Sequence, residues 1–580
     1  MLAGLAPFLL LGLCSVPWVL LITPRYGARL AVTTVVAGAP LLVLAVLTVT
    51  GALPLPALTT LLSSTLALGI LGLILLLRSG QELPSRARVL PWLAAGLGGI
   101  VWLSVLALAL VLPGADPLSW AMSGDAANNT HNARLQLADN GIVADRGITV
   151  PLVSALLSVA VSLGRPESGA SSLLAHDLLG LSTMFALMLA VASTLIGTVA
   201  ASLLGRGRAV AAAVASLLGT TWLVAGLPIE SGYLNAPVSI SLLMLAWLAF
   251  LDARRAPVYS LVLQLGIGIL VMMTWSPLVV VSLALVIATM VRSWVVVRVL
   301  HGRAAIPVVA AVVVILAITT TSLAPAFVST SSVFATPGHG FPTTMGILGV
   351  AAVVAVAVRR RRLAPQQLDG VIAIVAGSLV ATVVLLFIAR ENLDPLGSYY
   401  PAKLGWMLTL LVSAVALSLV LTLVNIRVAV VVLAASIGAA SLGPASAREY
   451  NPVASPVMRI LSGGVWHAGD HSAQLIIDHV GENAIYYRSG EPDEAFINFW
   501  LVDFGKGAIS GDGALRDFAV AGYRELRDTG SYNPVSLDEL CLLLPRLEPD
   551  ATVYTADEGL RAQISETCSA PHTTVNSIGG

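Results

Sequence analysis

Charge is what this 580-residue chain has least of. Asp, Glu, Lys and Arg together make 11% of it, against 57% hydrophobic residues, and the mean hydropathy is +0.90. That much apolar surface, laid out in runs of about 20 residues, excludes a water-soluble globular protein. Lysine is nearly missing: Lys403 and Lys506 are the only two among 31 basic residues. With three cysteines, a disulfide-dense scaffold is excluded as well. The chain has no Walker A sequence and no dinucleotide fingerprint, which argues against ATP hydrolysis. Carboxylates are almost absent from the apolar runs, which argues against ion-coupled transport, since coupling ions need ligands near the bilayer midplane. No nucleic-acid partner is expected, and there is no repeat, heptad run or low-complexity tract.

The apolar runs fall at 2–22, 30–50, 59–77, 90–112, 177–204, 209–227, 238–251, 258–273, 278–296, 304–323, 345–358, 371–388, 404–424 and 428–440. They predict a polytopic helical membrane body of about 14 spans. The formal net charge of zero conceals a split: residues 1–445 hold 22 basic and 12 acidic residues, and residues 446–580 hold 9 and 19. The chain therefore divides into a membrane body, 1–445, and an acidic soluble domain, 446–580. Seventeen arginines, from Arg25 to Arg427, lie in or beside alternate connections, which the positive-inside rule places in the cytoplasm. The N-terminus, a large loop at 113–176 and the acidic domain are then all extracytoplasmic. There Cys541 and Cys568 can form a disulfide, whereas Cys14 inside the first span is a small hydrophobe.

The outer connections carry the polar chemistry. After the fourth span the sequence WAMSGDAANNTHNARLQLADN sets Asp125, Asn128, Asn129, Asn132, Gln136 and Asp139 on one face of a helix. A carboxylate at the edge of an apolar span can act as general base on an acceptor hydroxyl, and the amides with His131 can position sugar hydroxyls or a phosphate. The same Asp125 can instead simply cap the helix at the water line. Residues 148–163 are too short and too Ser-rich to span comfortably, and predict a helix lying in the interface or dipping into it. A second cluster is RENLDPLGSYYPAK, with Arg390, Tyr399, Tyr400 and Lys403. Two cations beside paired aromatics suit a lipid-linked phosphate with a sugar stacked above it, or else an interfacial aromatic belt with a snorkelling lysine. Weaker candidates are Glu230 with Tyr233 and Asn235, and His339. His467, Asp470 and His471 make a divalent metal conceivable, though their spacing is no metal signature. In the acidic domain, residues 511–527 read as a helix and Ser536–Glu539 as a capping box. Residues 484–487, 496–502 and 551–555 read as strands, and 556–567 as a helix, together a small layered α/β domain.

This layout resembles the GT-C class of glycosyltransferases. The features that carry the likeness are an acidic residue opening the first large outer loop, an interfacial helix after it, a later outer loop with Tyr399, Tyr400 and Lys403, and an outer C-terminal domain. Within that class it most resembles the actinobacterial cell-envelope arabinofuranosyltransferases. The resemblance implies transfer of a sugar from a polyprenyl-phosphate donor to an envelope glycan on the outer face of a bacterial plasma membrane. Asp125 would deprotonate the acceptor, and Lys403 or Arg390 would meet the donor phosphate. Three extra spans precede the Asp125 loop, and Ala126 stands where the family has a second acidic residue, which argues against a metal-dependent step. Two other readings are a transporter or flippase of lipid-linked glycans and a non-catalytic envelope scaffold.

Overall fold

The computed structural model describes residues 2–80, 86–113, 115, 117–143, 148, 150–203, 208–230, 232–293, 313, 365–390, 400, 401, 403–408, 411, 431, 434, 435, 438, 455–462, 470–482, 484–487, 492–504, 536–546, 552–555, 558–568 and 574–577. The membrane body is helical: α1 (Leu2–Tyr26), α2 (Ala28–Ala52), α3 (Ala57–Ser79), α4 (Arg86–Ala95), α5 (Leu97–Ala109), α6 (Ala126–Ala138), α7 (Leu152–Ser162), α8 (Ala170–Leu203), α9 (Arg208–Leu217), α10 (Leu227–Glu230), α11 (Asn235–Leu251), α12 (Pro257–Trp275), α13 (Val279–Arg292) and α14 (Pro365–Ile388). Six stretches among the described residues are long and apolar enough to cross a bilayer, and four shorter apolar helices accompany them. The chain is a multi-pass helical membrane protein. One of the six, Pro257–Arg292, is folded in two at the 3-10 turn Ser276–Leu278. The Thr289 hydroxyl donates to Gln264 Oε1 at 2.9 Å, and Gly268 lies against Ser282, so α12 and α13 run antiparallel. The segments expected at 304–323, 345–358 and nearly all of 404–440 lie outside the described residues.

The connections that the sequence assigns to one side do meet. At the arginine-rich end, Arg29 pairs with Asp252, Tyr26 stacks on Tyr259 at 4.7 Å, and Arg292 pairs with Asp369. At the opposite end Asp125, Tyr233, Trp275, Tyr400 and Lys403 converge, although they come from four separate connections.

Two expectations are corrected. Helix α7 does not lie along a surface as an amphipathic helix would, which leaves the dipping alternative: every residue from Leu152 to Val161 is buried, among α1, α2, α6, α8 and α12. Its serine stripe is satisfied inside the protein: Ser154 accepts from Gln136, and Ser154, Ser158 and Ser162 donate to carbonyls three residues back, so the helix fits as a plug between its neighbours. The run Phe496–Val502 is not a strand but part of helix Pro492–Phe504. A short apolar run fits a buried strand and a buried helix equally well, and the deciding signal was the preceding Pro-Asp-Glu, a favourable first helical turn.

The C-terminal part contributes α15 (Pro456–Leu461), α16 (Asp470–His479), α17 (Pro492–Phe504), α18 (Leu537–Leu543) and α19 (Glu558–Thr567). Its strands β1 (Ala484–Tyr486), β2 (Thr552–Thr555) and β3 (Thr574–Ser577) form a parallel sheet in that order, with Ile485 opposite Val553 and Val553 opposite Val575. Asn498 of α17 accepts from the Tyr486 N–H at 2.8 Å and donates to the Tyr486 carbonyl at 2.7 Å, tying the helix to β1. Ser536 and Glu539 form a reciprocal capping box at the start of α18, and Cys541 is bonded to Cys568. The helix expected at 511–527 lies outside the described residues.

Candidate functional site

The strongest polar constellation is built on Asp125. The chain leaves the membrane body, makes a 3-10 turn at Ser119–Ala121 and reaches Gly124, whose φ of 52° is the left-handed conformation that glycine tolerates. Asp125 follows at the N-cap position of α6, yet its side chain caps none of that helix's amides. It turns instead to Lys403, whose Nζ lies 2.7 Å from Asp125 Oδ2. The two are 278 positions apart in the chain. The lysine side chain is 4% exposed and the carboxylate 24%, so the pair has a dry side and a wet side.

Aromatic faces surround the pair. The Lys403 ammonium lies 3.9 Å from the centroid of the Tyr233 ring, a cation–π contact. Tyr233 is held there by Gly232, with φ of 62°: a Cβ on Gly232 would fall 1.6 Å from the Ser123 carbonyl oxygen, so only glycine lets this segment close on the Asp125 loop. Tyr400 stacks on Trp275 with centroids 6.2 Å apart and planes 9° from parallel. Burial, and after it the nearby negative charge of Asp125, pushes the Tyr400 hydroxyl above the usual tyrosine range. Trp406, three residues beyond Lys403, meets Trp222 edge to face at 5.1 Å.

The remaining predicted residues fall as follows. Asn129 donates from its side chain to the Asp125 carbonyl at 2.9 Å, whereas Asn128 is exposed and His131 half-buried. Gln136 leaves the exposed polar stripe: it is buried and donates to Ser154 of α7 at 2.9 Å. Glu230 ends the short helix α10, and its side chain lies outside the described residues. Arg390 is exposed and folds onto its own helix end, donating to the Phe387 carbonyl at 3.0 Å with its guanidinium over the Phe387 ring. Tyr399, His339 and His467 lie outside the described residues, as do the side chains of Asp470 and His471 at the start of α16. Among the described residues no group of three or more His, Cys, Asp and Glu side chains could hold a metal ion.

Comparison with family models, with curated proteins and with solved structures finds no match.

Two features were missed from sequence. Asp177, read as a span-edge residue, is fully buried and accepts from Arg134 at 2.6 Å and from Arg165 at 3.2 Å. It holds α6 and the loop before α8 together. The available signal was that Arg134 and Arg165 sit on the side where arginine is scarce, which calls for an acidic partner. The second feature is α17, which packs on α6 with Trp500 Nε1 donating to the Met122 carbonyl at 3.2 Å and Phe504 under Arg134 at 4.6 Å. The acidic part thus helps to set the turn that delivers Asp125.

Taken together, a carboxylate that reaches water and a nearly buried ammonium stand side by side between aromatic faces. A hydroxyl can be deprotonated by the first, and an anion can be held by the second.

Proposed function

We propose that this protein is a membrane glycosyltransferase that moves a sugar from a polyprenyl-phosphate donor to a glycan acceptor of the cell envelope, on the outer face of a bacterial plasma membrane. The observation that carries the reading is the Asp125–Lys403 pair, 2.7 Å apart and flanked by Tyr233, Tyr400 and Trp275. It joins the residue suited to deprotonating an acceptor with one suited to holding a phosphate. The resemblance of the chain's layout to the GT-C class supplies the substrate class.

In this reading the donor phosphate competes with Asp125 for the Lys403 ammonium. Each phosphate oxygen that takes the lysine leaves the carboxylate freer to accept a proton. The acceptor hydroxyl then gives its proton to Asp125 and its oxygen bonds to the anomeric carbon. The bond from that carbon to the phosphate oxygen breaks, and polyprenyl phosphate departs with the electron pair, its charge met by Lys403. The aromatic faces offer a stacking surface for the sugar ring. No nucleotide takes part.

The test is transfer of radiolabelled sugar from polyprenyl-phosphate donors in membranes holding wild type, Asp125→Asn or Lys403→Met. Transfer by wild type and its loss in Asp125→Asn at equal protein level is the expected result. Loss in Lys403→Met but not in Asp125→Asn would support Lys403 as the donor contact and refute Asp125 as the base. Undiminished transfer in both variants would refute the site, and no transfer from any donor by folded wild type would shift the reading to a flippase or scaffold.

A further inference from the structure

The turn that delivers Asp125 has several anchors, and most of them come from the acidic part. One lies within the membrane body, where Trp120 stacks on Phe185 of α8 with centroids 5.4 Å apart. The others are α16, which packs against Ser119–Ala121, and α17, which packs against α6. Between those two contacts the Trp500 indole donates to the Met122 carbonyl at 3.2 Å. Trp500 and Met122 are both fully buried, so water is not at hand to replace that bond. Two residues after Met122 comes Gly124, the most permissive joint in the turn, with φ of 52°, and then Asp125. A joint of that kind keeps its angle only when the chain on both sides is fixed. Helix α6 fixes the far side, and the Trp500–Met122 bond fixes the near side. Trp500 is held in its turn: it stacks on Phe504 at 4.8 Å, and Phe504 lies under Arg134 of α6 at 4.6 Å. The Arg134 Nε donates to the buried Asp177 at 2.6 Å, so the far end of this chain of contacts is also fixed.

We infer that Trp500 is a positioning residue for sugar transfer: through the Met122 carbonyl it fixes the turn that sets Asp125 against Lys403, so the base is in place only while α17 is seated on α6. The inference rests on the glycosyl-transfer reading and gives the acidic part a task within it. Trp500 acts through the backbone and not on substrate. Its loss changes where the carboxylate sits rather than whether the donor phosphate is held, because Lys403 arrives on a separate connection and lies against Tyr233. The signature is therefore a fall in kcat with the donor KM kept. A structural role alone would lower the amount of folded protein and leave turnover per folded molecule unchanged.

The experiment uses the full-length purified protein in detergent, as wild type, Trp500→Phe and the control Trp18→Phe. The control removes a similar indole bond, 3.0 Å to the Leu68 carbonyl, between α1 and α3. Hydrogen exchange read by mass spectrometry follows peptides spanning Ser119–Thr130, and steady-state kinetics use the polyprenyl-phosphate sugar that wild type transfers. In Trp500→Phe, exchange at the turn should be about threefold faster or more and unchanged in α8, with kcat roughly tenfold lower or more and donor KM within about twofold of wild type. Trp18→Phe should match wild type in all of these. Unchanged exchange at the turn would overturn the proposal, and so would faster exchange with unaltered kcat per folded molecule. A raised donor KM at unaltered kcat would overturn it too, because it would place the effect in binding. If Trp500→Phe folds too poorly to purify, Phe504→Leu keeps the indole N–H, removes its stacking partner, and should shift exchange and kcat in the same directions; no shift in either would refute the role. Absence of transfer by folded wild type would refute the glycosyl-transfer reading and the positioning role with it, while the exchange result would still report whether Trp500 holds the turn.

Discussion

Lys403 and Asp125 invite a double-mutant cycle, because their unequal burial predicts unequal effects. At 2.7 Å and an effective dielectric of ~20, their attraction is worth about 6 kcal/mol, most of it offset by the cost of desolvating two charges. Removing one partner leaves the other to face that cost alone. Asp125→Asn takes the carboxylate away from an ammonium that is 4% exposed and lies against the Tyr233 ring, and the expected loss is about 3 kcal/mol. Lys403→Met strands a carboxylate that is 24% exposed and can turn to water, so the expected loss is smaller, about 1–2 kcal/mol. The double variant loses about 2 kcal/mol, less than the sum of the singles, giving a coupling energy of about 2–3 kcal/mol. Unfolding in mixed micelles titrated with sodium dodecyl sulfate and followed by circular dichroism would measure all four corners. Additive losses, with a coupling energy within about 0.5 kcal/mol of zero, would refute the argument, and so would a costlier loss for the lysine variant.

Three further predictions rest on single features. Gly232→Ala has neither the φ nor the space it needs, since its Cβ would meet the Ser123 carbonyl; it should lower the unfolding midpoint and reduce sugar transfer more than the same change at Gly266, where a Cβ meets nothing within 4 Å. Tyr554 donates to Glu482, and burial first, then that hydrogen bond and charge, raise its pKa. Because the folded value lies above the unfolded one, this tyrosine's contribution is complete below about pH 10 and is lost as pH rises toward the folded value; thermal midpoints above about pH 10 should fall less steeply in Tyr554→Phe than in wild type. The disulfide between Cys541 and Cys568 closes a separation of 27 residues, worth about 3–4 kcal/mol on chain-entropy grounds; reduction should raise the susceptibility of the C-terminal part to limited proteolysis while sparing the membrane body, and an unchanged digestion pattern would refute that.

Composition and periodicity carry the helical membrane character, because apolar length is a local property that each span writes into its own residues. The capping box at Ser536–Glu539 and the strands at 484–486 and 552–555 were legible for the same reason. The candidate site was legible only as two unconnected polar islands. Nothing local tells Asp125 that its partner lies 278 residues away; that depends on how the helices pack. Arginine asymmetry narrowed the choice by assigning both islands to one end, but it could not separate Lys403 from Arg390. The structure does separate them: one is buried against the carboxylate, and the other lies exposed along its own helix. Helix α17 was misread because six apolar residues broken only by Asn498 carry no clear period of their own.

The length of chain between Asp125 and Lys403 has a consequence for biosynthesis. Translation at ~5–20 residues per second leaves roughly a quarter of a minute to a minute between the emergence of the two residues. Throughout that interval the carboxylate is without its cation, while α7 through α14 are synthesised behind it. The active arrangement is therefore among the last parts of the body to be completed. A ribosome that stops before residue 403 releases a product that holds Asp125 without Lys403. Under the proposed function, sugar transfer would therefore report only on chains extended past residue 403.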